Sequence, residues 1–147
     1  MSSIWFGGKP PAMPHLPHKG TLAEHLGMEF LEAGDDYLRG RMPVDQRHHQ
    51  PFGALHGGAS VSLAETLMSY AANLCLDPGK QYGVGLEINA NHIRSVREGW
   101  VTGVARPVHR GATTQVWTCE IRDEAGRVVC MSRMTIAVLS RKADVSA

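Results

Sequence analysis

The sequence has little that points to a membrane, an extracellular compartment or a nucleic acid. No apolar run approaches the roughly 20 residues of a transmembrane helix, and the N-terminal residues lack the apolar stretch of a secretory signal. Cys75, Cys119 and Cys130 are an odd number with no closely spaced pair, which is typical of free thiols in a reducing cytoplasm. Because the net charge is only +1 and aromatics make up only 6%, we expect a cytoplasmic protein that binds neither nucleic acid nor membrane.

The composition is that of a single globular domain. With 147 residues, of which 43% are hydrophobic and 20% charged, the chain is long enough to bury a core of ordinary size. Prolines recur between positions 10 and 17, where they disfavour a helix or a central strand. We therefore expect a proline-rich tail over residues 1–20, one domain over residues 21–140 and a short polar tail over residues 141–147.

Hydrophobic spacing predicts one long helix over residues 55–76, in which Leu63, Leu67 and Ala71 recur at helical intervals. A short helix is predicted over residues 21–27, with Thr21 as its N-cap. Residues 28–44 form a predicted β-hairpin that turns at Gly34-Asp35-Asp36. The expected fold class is therefore α+β, with one helix wrapped by five or six antiparallel strands.

The chain after Gln81 alternates with period two, as antiparallel strands do. The pattern places Val84, Leu86, Ile88 and Ala90 on one face, and a change of parity at Ile93 predicts a bulge near Asn91 or His92. A later strand, residues 113–121, has one face composed of Thr113, Gln115, Trp117, Cys119 and Ile121. The last run, residues 128–139, is predicted to be mostly buried.

Glu65 is the residue that the helix pattern singles out. On a helical wheel it lies where the apolar and polar faces meet, with Ser69 one turn further on. A carboxylate that is half removed from water has a raised pKa and is a stronger base than an exposed one. The alternative is an ordinary solvated glutamate at a helix edge.

His56-Gly57-Gly58 stands at the predicted start of this helix. The first N–H groups of a helix lack intrahelical acceptors and carry the positive end of the helix dipole. Two glycines there allow a carbonyl oxygen to approach the backbone, which is the geometry of an oxyanion hole. The alternatives are glycines that serve only tight packing and a histidine that serves as a cap or a core residue.

These residues belong to a longer motif that resembles the hotdog-fold acyl-CoA thioesterases. The segment from Gln50 to Ser60, with Leu63-Ala64-Glu65 and Ser69, is most similar to the branch of the 4-hydroxybenzoyl-CoA and 1,4-dihydroxy-2-naphthoyl-CoA thioesterases. The segment Gly85–His92 continues the match, and so do Arg94-Ser95 and Glu98-Gly99. The resemblance implies a hotdog fold and hydrolysis of acyl-CoA thioesters, with an aromatic acyl group favoured.

The resemblance also implies roles for particular residues. Glu65 would be the catalytic carboxylate, as nucleophile or general base, and Ser69 would orient it or the water. Gln50 and His56 would hold the thioester and the loop before the helix, while the N–H of Gly57, together with that of Gly58, would polarise the carbonyl. The implied substrate or CoA contacts are Gly58, Gly85, His92, Ile93, Arg94, Ser95, His109, Arg110, Gly111, Ala112, Thr113 and Thr114.

The expected partners are an acyl-CoA substrate and further copies of the chain, as a dimer or a dimer of dimers (a homotetramer). No cofactor is expected, since CoA is part of the substrate. No metal is expected either, because the eight histidines include no His-x-x-x-His pair. Two other activities stay open: a non-catalytic acyl-CoA sensor and a hotdog dehydratase or hydratase. Basic residues lie at the predicted strand ends and turns, and their alternative role is that of solvated surface charge. They are Arg94, Arg97, Arg106, His109 and Arg110.

Overall fold

A computed structural model describes residues 2–13 and 19–142. In this part of the chain, one long helix lies across a six-stranded antiparallel sheet with strand order β1-β2-β4-β5-β6-β3. The expected hotdog arrangement of a helix wrapped by a sheet is therefore confirmed. The elements are α1 Leu22–His25, β1 Glu29–Ala33, β2 Leu38–Pro43, α2 Gly57–Leu74, β3 Gln81–His92, β4 Trp100–Arg110, β5 Thr114–Arg122 and β6 Val128–Ser140.

Local sequence signals define most of these elements as predicted. The Thr21 side chain accepts a hydrogen bond from the Glu24 N–H and caps α1, and the β1–β2 hairpin turns at Gly34–Tyr37. The inward face of β5 carries the buried residues Gln115, Trp117, Cys119 and Ile121. No helix in residues 2–13 or 19–142 is long and apolar enough to cross a membrane.

The long helix α2 is pressed against the sheet at two glycines. Gly40 and Gly103 are paired on β2 and β4, and a methyl group at either position would come within 2.7 or 2.8 Å of a Leu67 methyl carbon. The buried side of α2 also carries Leu63, Met68 and Ala71. Leu67 therefore occupies the space that two missing side chains leave, and this contact fixes how α2 is turned about its own axis.

We expect Gly40→Ala to lower the free energy of unfolding by roughly 1–3 kcal/mol, the usual cost of overpacking a core. The added methyl would meet Leu67 and also lie 2.9 Å from the Glu29 carbonyl oxygen, which is backbone and cannot move aside easily. Urea unfolding measures the change, with Gly79→Ala as the control because its methyl would find its nearest neighbour at 3.4 Å. Equal stabilities of the two variants would contradict this packing argument.

Strand β3 lies at one edge of the sheet, and its bulge is not where the sequence pattern predicts it. The register against β6 shifts between Gly85 and Glu87, whereas the pairing through Asn91 and His92 is regular. The prediction of a bulge at Asn91 or His92 is therefore wrong. Before the bulge the inward positions are Gly83 and Gly85, and Leu86 is 65% exposed. The pattern misled because an exposed edge strand carries apolar residues that do not face the core.

The segment before the first proline is packed on the domain instead of trailing from it. The Trp5 side chain is buried, and its indole N–H donates to the Gly34 carbonyl oxygen at 2.6 Å. The Ile4 N–H donates to the Asp35 carbonyl oxygen, and the Phe6 N–H donates to the Leu74 carbonyl oxygen at the end of α2. Residues 14–18 and 143–147, which include parts of both expected tails, lie outside the described residues.

Candidate active site

The start of α2 presents one backbone N–H group to its surroundings. His56 is the N-cap, and its Nδ1 accepts a hydrogen bond from the Gly58 N–H at 2.7 Å. The Ala59 and Ser60 N–H groups both donate to the His56 carbonyl oxygen. Gly57 occupies the first helical position, where an N–H has no intrahelical acceptor. Because Gly58 is already bonded, Gly57 is the donor that this helix start offers to a ligand.

The loop before the helix is held by several hydrogen bonds. The His48 ring is buried, and its Nε2 donates to the Leu26 carbonyl oxygen at 2.7 Å. The His48 carbonyl oxygen in turn accepts from the His56 N–H at 2.7 Å. Gln50 Oε1 accepts from the Phe52 N–H, which leaves its amide NH₂ as a donor. Arg97 closes the loop by donating from Nη1 to the Phe52 carbonyl oxygen at 3.0 Å.

A cleft of about 320 Å³ opens between this loop and the end of β3. It brings Gln50 and Gly57 together with the predicted segment His92–Ser95, and a methyl group on Gly57 would lie 2.8 Å from His92 Nε2. Its other lining residues, Leu55, Ser60 and Val129, were not singled out from the sequence. Ser60 alone had a local signal, since it follows Gly57 by one helical turn.

Glu65 lies on the same helix but at a distance from this cleft. Eight residues separate it from Gly57, which is about 12 Å along a helix axis. Its Oε1 lies 3.2 Å from the point where a Gly85 side chain would begin, so the missing side chain on β3 makes room for the carboxylate. The Glu65 side chain is exposed in the single chain, which does not supply the half-buried environment expected from the helical wheel. One chain therefore does not bring Glu65 and Gly57 to one point.

A second cavity, of about 490 Å³, follows Glu65 along the exposed flank of α2. Ser69, one turn beyond Glu65, lines it together with Thr66, Tyr70, Asn73 and Leu74. The Tyr70 ring also packs against Phe30, with ring centroids 4.7 Å apart. An apolar, partly aromatic space therefore begins at Thr66, the residue after Glu65, and extends along α2 away from it.

The residues predicted to contact the nucleotide fall into two groups at opposite ends of the sheet. His92 pairs with Cys130 on β6, whereas Thr114 pairs with Ala137. Seven residues of extended strand span about 23 Å. The group at the second end comprises His109, Arg110, Gly111, Ala112, Thr113 and Thr114. Of these, Arg110 donates from Nη1 to the Ile4 carbonyl oxygen at 3.1 Å.

The electrostatics of the chain do not favour a thiol nucleophile. Burial raises the pKa of the Cys75 thiol to about 11 and that of the Cys119 thiol to about 12. Burial also raises the pKa of Cys130. All three thiols are therefore protonated at neutral pH. Within residues 2–13 and 19–142, no three His, Cys, Asp or Glu side chains come together as a metal site.

Known proteins are similar to this chain in sequence and in architecture. The family described as the thioesterase superfamily matches residues 52–130. The 1,4-dihydroxy-2-naphthoyl-CoA hydrolase of Escherichia coli is 55% identical over 121 residues, which cover 82% of this chain and 88% of the relative. The proofreading thioesterase EntH of Cronobacter turicensis is 54% identical over 120 residues, covering 82% of this chain and 87% of the relative. A crystal structure of a thioesterase from Haemophilus influenzae aligns with a TM-score of 0.82 at 46% identity, covering 86% of this chain and 88% of that one.

Proposed function

The chain belongs to the thioesterase superfamily and is an acyl-CoA thioesterase, and from this premise we propose that its active site forms between two copies. Glu65 of one copy would act on a thioester whose carbonyl oxygen is bound by the Gly57 N–H of the other. The observation that carries this proposal is the separation of about 12 Å between the two groups along a single helix. Gln50 and His56, which belong to the loop at Gly57, would then face Glu65 across the interface.

The free edge of β3 supports such a pairing. Two antiparallel β3 strands related by a two-fold axis at Asn89 would pair Ile88 with Ala90 and Glu87 with Asn91. Because Leu86 is the extra residue of the bulge, the next pair would place Gly85 of each copy opposite His92 of the other. Glu65 lies against Gly85, and Gly57 lies against His92, so this pairing would bring the two catalytic groups towards each other twice per dimer. It would also cover Leu86, which is 65% exposed in the single chain.

The chemistry needs few groups. A thioester carbonyl is reactive, and its thiolate leaves without a strong acid. One carboxylate and one positioned N–H donor can therefore suffice. As a general base, Glu65 would take a proton from water while the water oxygen attacks the carbonyl carbon. As a nucleophile, it would form an anhydride that water then opens. Both routes release the free acid and CoA as a thiol, without an added cofactor, and Ser69 stands where it could orient Glu65 or the water.

We place the acyl group in the cavity beside Ser69 and Tyr70. The space is mainly apolar and includes an aromatic wall, so an aromatic acyl group suits it. The name of the Escherichia coli relative, a 1,4-dihydroxy-2-naphthoyl-CoA hydrolase, supports the same substrate class. We propose that the enzyme hydrolyses aromatic acyl-CoA in the cytoplasm, as a dimer or a dimer of dimers.

For the nucleotide, Arg94 is the best-placed arginine. It lines the cleft at Gly57, and its side chain makes no hydrogen bond or ion pair with any described residue. In contrast, Arg97 holds the Phe52 carbonyl and Arg110 holds Ile4. Arg94 can therefore bind a CoA phosphate without breaking an existing contact.

We expect Arg94→Gln to raise KM for a full CoA ester by roughly fivefold, the equivalent of about 1 kcal/mol for an exposed charge pair. The value of kcat should change little, because such a contact is equally strong in the ground and transition states. Steady-state kinetics at low and high salt measure the effect, with Arg106→Gln as a control because Arg106 pairs with Asp36. The effect should vanish with an N-acetylcysteamine thioester, and an unchanged KM for the CoA ester at low salt would contradict the assignment.

Incubation of the pure protein with benzoyl-CoA and a thiol reagent tests the function directly. Thiol release supports hydrolysis, whereas binding without release supports a sensor. The dehydratase or hydratase alternative needs a 2-enoyl-CoA such as crotonyl-CoA, because a benzoyl group has no double bond to which water can add in this way. Hydration of crotonyl-CoA without thiol release would support that alternative. The protein's own thiols should add little background because their pKa values lie well above the assay pH. Sedimentation tests the assembly, and an active species of monomer mass would overturn the two-chain site.

A further inference from the structure

We infer that the N-terminal segment of residues 4–12 forms the far wall of the acyl site and selects acyl groups longer than a single ring. This inference rests on the proposed placement of the acyl group beside Ser69 and Tyr70. The segment lies outside the residues that the thioesterase family matches, which begin at position 52.

The first observation is that two cavities share their lining. The cavity beside Ser69 ends at Asn73 and Leu74. Both residues also line a cavity of about 700 Å³ that continues towards the N-terminal segment. The other lining residues of this second cavity are Trp5, Phe6, Gly7, Lys9, Pro10, Pro11, Ala12, Leu76 and Pro78. A groove thus runs from the flank of α2 beside Glu65 to the prolines near the start of the chain.

The second observation is that the wall is fixed in place. The buried Trp5 anchors the segment at the β1–β2 turn, and the Phe6 N–H binds the last turn of α2 at 3.0 Å. Arg110 holds the same segment from the end of β4 through the Ile4 carbonyl oxygen. Three separate elements therefore position residues 4–6, as a preformed binding wall requires.

The floor of the groove is equally rigid. The Asn73 side chain accepts from the Gly83 N–H at 2.8 Å and donates to the Gly83 carbonyl oxygen at 3.2 Å. This double contact joins α2 to β3 at the point where the two cavities meet. Because both the oxygen and the nitrogen of the Asn73 amide are hydrogen-bonded, this side chain is held in one position at the floor of the groove.

The lining indicates the chemistry of the occupant. Phe6 is 55% exposed and lines the cavity together with proline and leucine side chains. Among the described lining residues, Lys9 is the only charged one. Such a surface suits the distal apolar part of an acyl group. A single benzoyl ring is too short to extend past Asn73, whereas a second ring would extend the acyl group along the groove towards Leu74, to whose carbonyl oxygen the Phe6 N–H is bonded.

The test compares 4-phenylbenzoyl-CoA with benzoyl-CoA. We expect wild-type protein to hydrolyse both, and Phe6→Ala to lower kcat/KM for the longer ester by about tenfold, the scale of a lost apolar pocket contact. The value for benzoyl-CoA should stay within about twofold. Phe6→Leu should restore most of the loss, and Leu22→Ala is the matched control because Leu22 is 59% exposed and lines neither cavity.

The outcomes separate this inference from the proposed function. If Glu65→Gln hydrolyses benzoyl-CoA normally, the proposed site fails, and the wall fails with it. If hydrolysis depends on Glu65 but Phe6→Ala changes both esters equally or neither, only the wall is overturned. Failure of wild-type protein to hydrolyse 4-phenylbenzoyl-CoA would also overturn it. Thermal unfolding of each variant shows whether a uniform loss comes from instability.

Discussion

Glu65→Gln is expected to fold normally and to lose most thioester hydrolysis, by a factor of at least roughly 10²–10⁴. Glutamine keeps the shape of the side chain but can neither accept a proton at neutral pH nor form an acyl intermediate. Glu65 is exposed in the single chain, so its replacement should leave stability nearly unchanged. Single-turnover and steady-state rates with benzoyl-CoA measure the loss.

Glu98→Gln is the matched control, because Glu98 is an exposed carboxylate in the turn before Gly99. It should hydrolyse benzoyl-CoA at the wild-type rate. Both variants should bind CoA nearly as tightly as the wild-type protein does, since neither residue lines the cleft at Gly57. Near-normal turnover by a folded Glu65→Gln protein would remove the carboxylate from the mechanism.

Gly57→Ala should reduce kcat by roughly 10²-fold, the effect of losing one oxyanion donor. The N–H group stays in this variant, but the new methyl would lie 2.8 Å from His92 Nε2, so either the ring or the helix start must move. The methyl also occupies the space through which a carbonyl oxygen reaches the N–H. Gly79→Ala is the control, because its methyl meets nothing closer than 3.4 Å.

The two inactive variants together test whether the site spans two chains. In a mixed dimer of Glu65→Gln and Gly57→Ala subunits, one site combines an intact Glu65 with an intact Gly57. Random mixing should then restore about a quarter of wild-type activity, since half of the dimers are mixed and each has one intact site. Activity that stays at the level of the single variants after co-expression would mean that each site is built within one chain.

The sequence predicted those parts of the fold that depend on local periodicity. The alternation from Gln115 to Ile121 identified the buried face of β5, and the spacing of Leu63, Leu67 and Ala71 identified the buried side of α2. The predicted helix, residues 55–76, extends two residues beyond α2 at each end. His56 and Cys75 are its caps, and the apolar residues next to them, Leu55 and Leu76, continue the hydrophobic pattern beyond the helix.

The predictions that failed concern features that depend on contacts between residues far apart in the sequence. The bulge at Leu86 could not be located from a pattern in which Val84 and Leu86 look like core residues, although both are exposed on an edge strand. Residues 1–20 were predicted to be a tail because of their prolines. The buried Trp5, however, donates its indole N–H to Gly34, and its neighbour Phe6 donates its N–H to Leu74, and both acceptors are far away in sequence. Only the three-dimensional arrangement shows that Glu65 lies against Gly85 and Gly57 against His92, at two different places along β3.

The packing of Leu67 against Gly40 and Gly103 determines which positions of α2 can change during evolution. Leu67 fixes the rotation of α2 about its axis from the buried side, whereas Thr66 and Tyr70 line the cavity proposed for the acyl group from the exposed side. Residues on the outer flank can therefore change without disturbing the contact that orients Glu65. A library restricted to those outer positions should yield many folded variants with altered substrate range, while one that includes Leu67 should yield mostly unfolded chains. The buried side of α2 thus preserves the fold, whereas its exposed side can vary to change the substrate range.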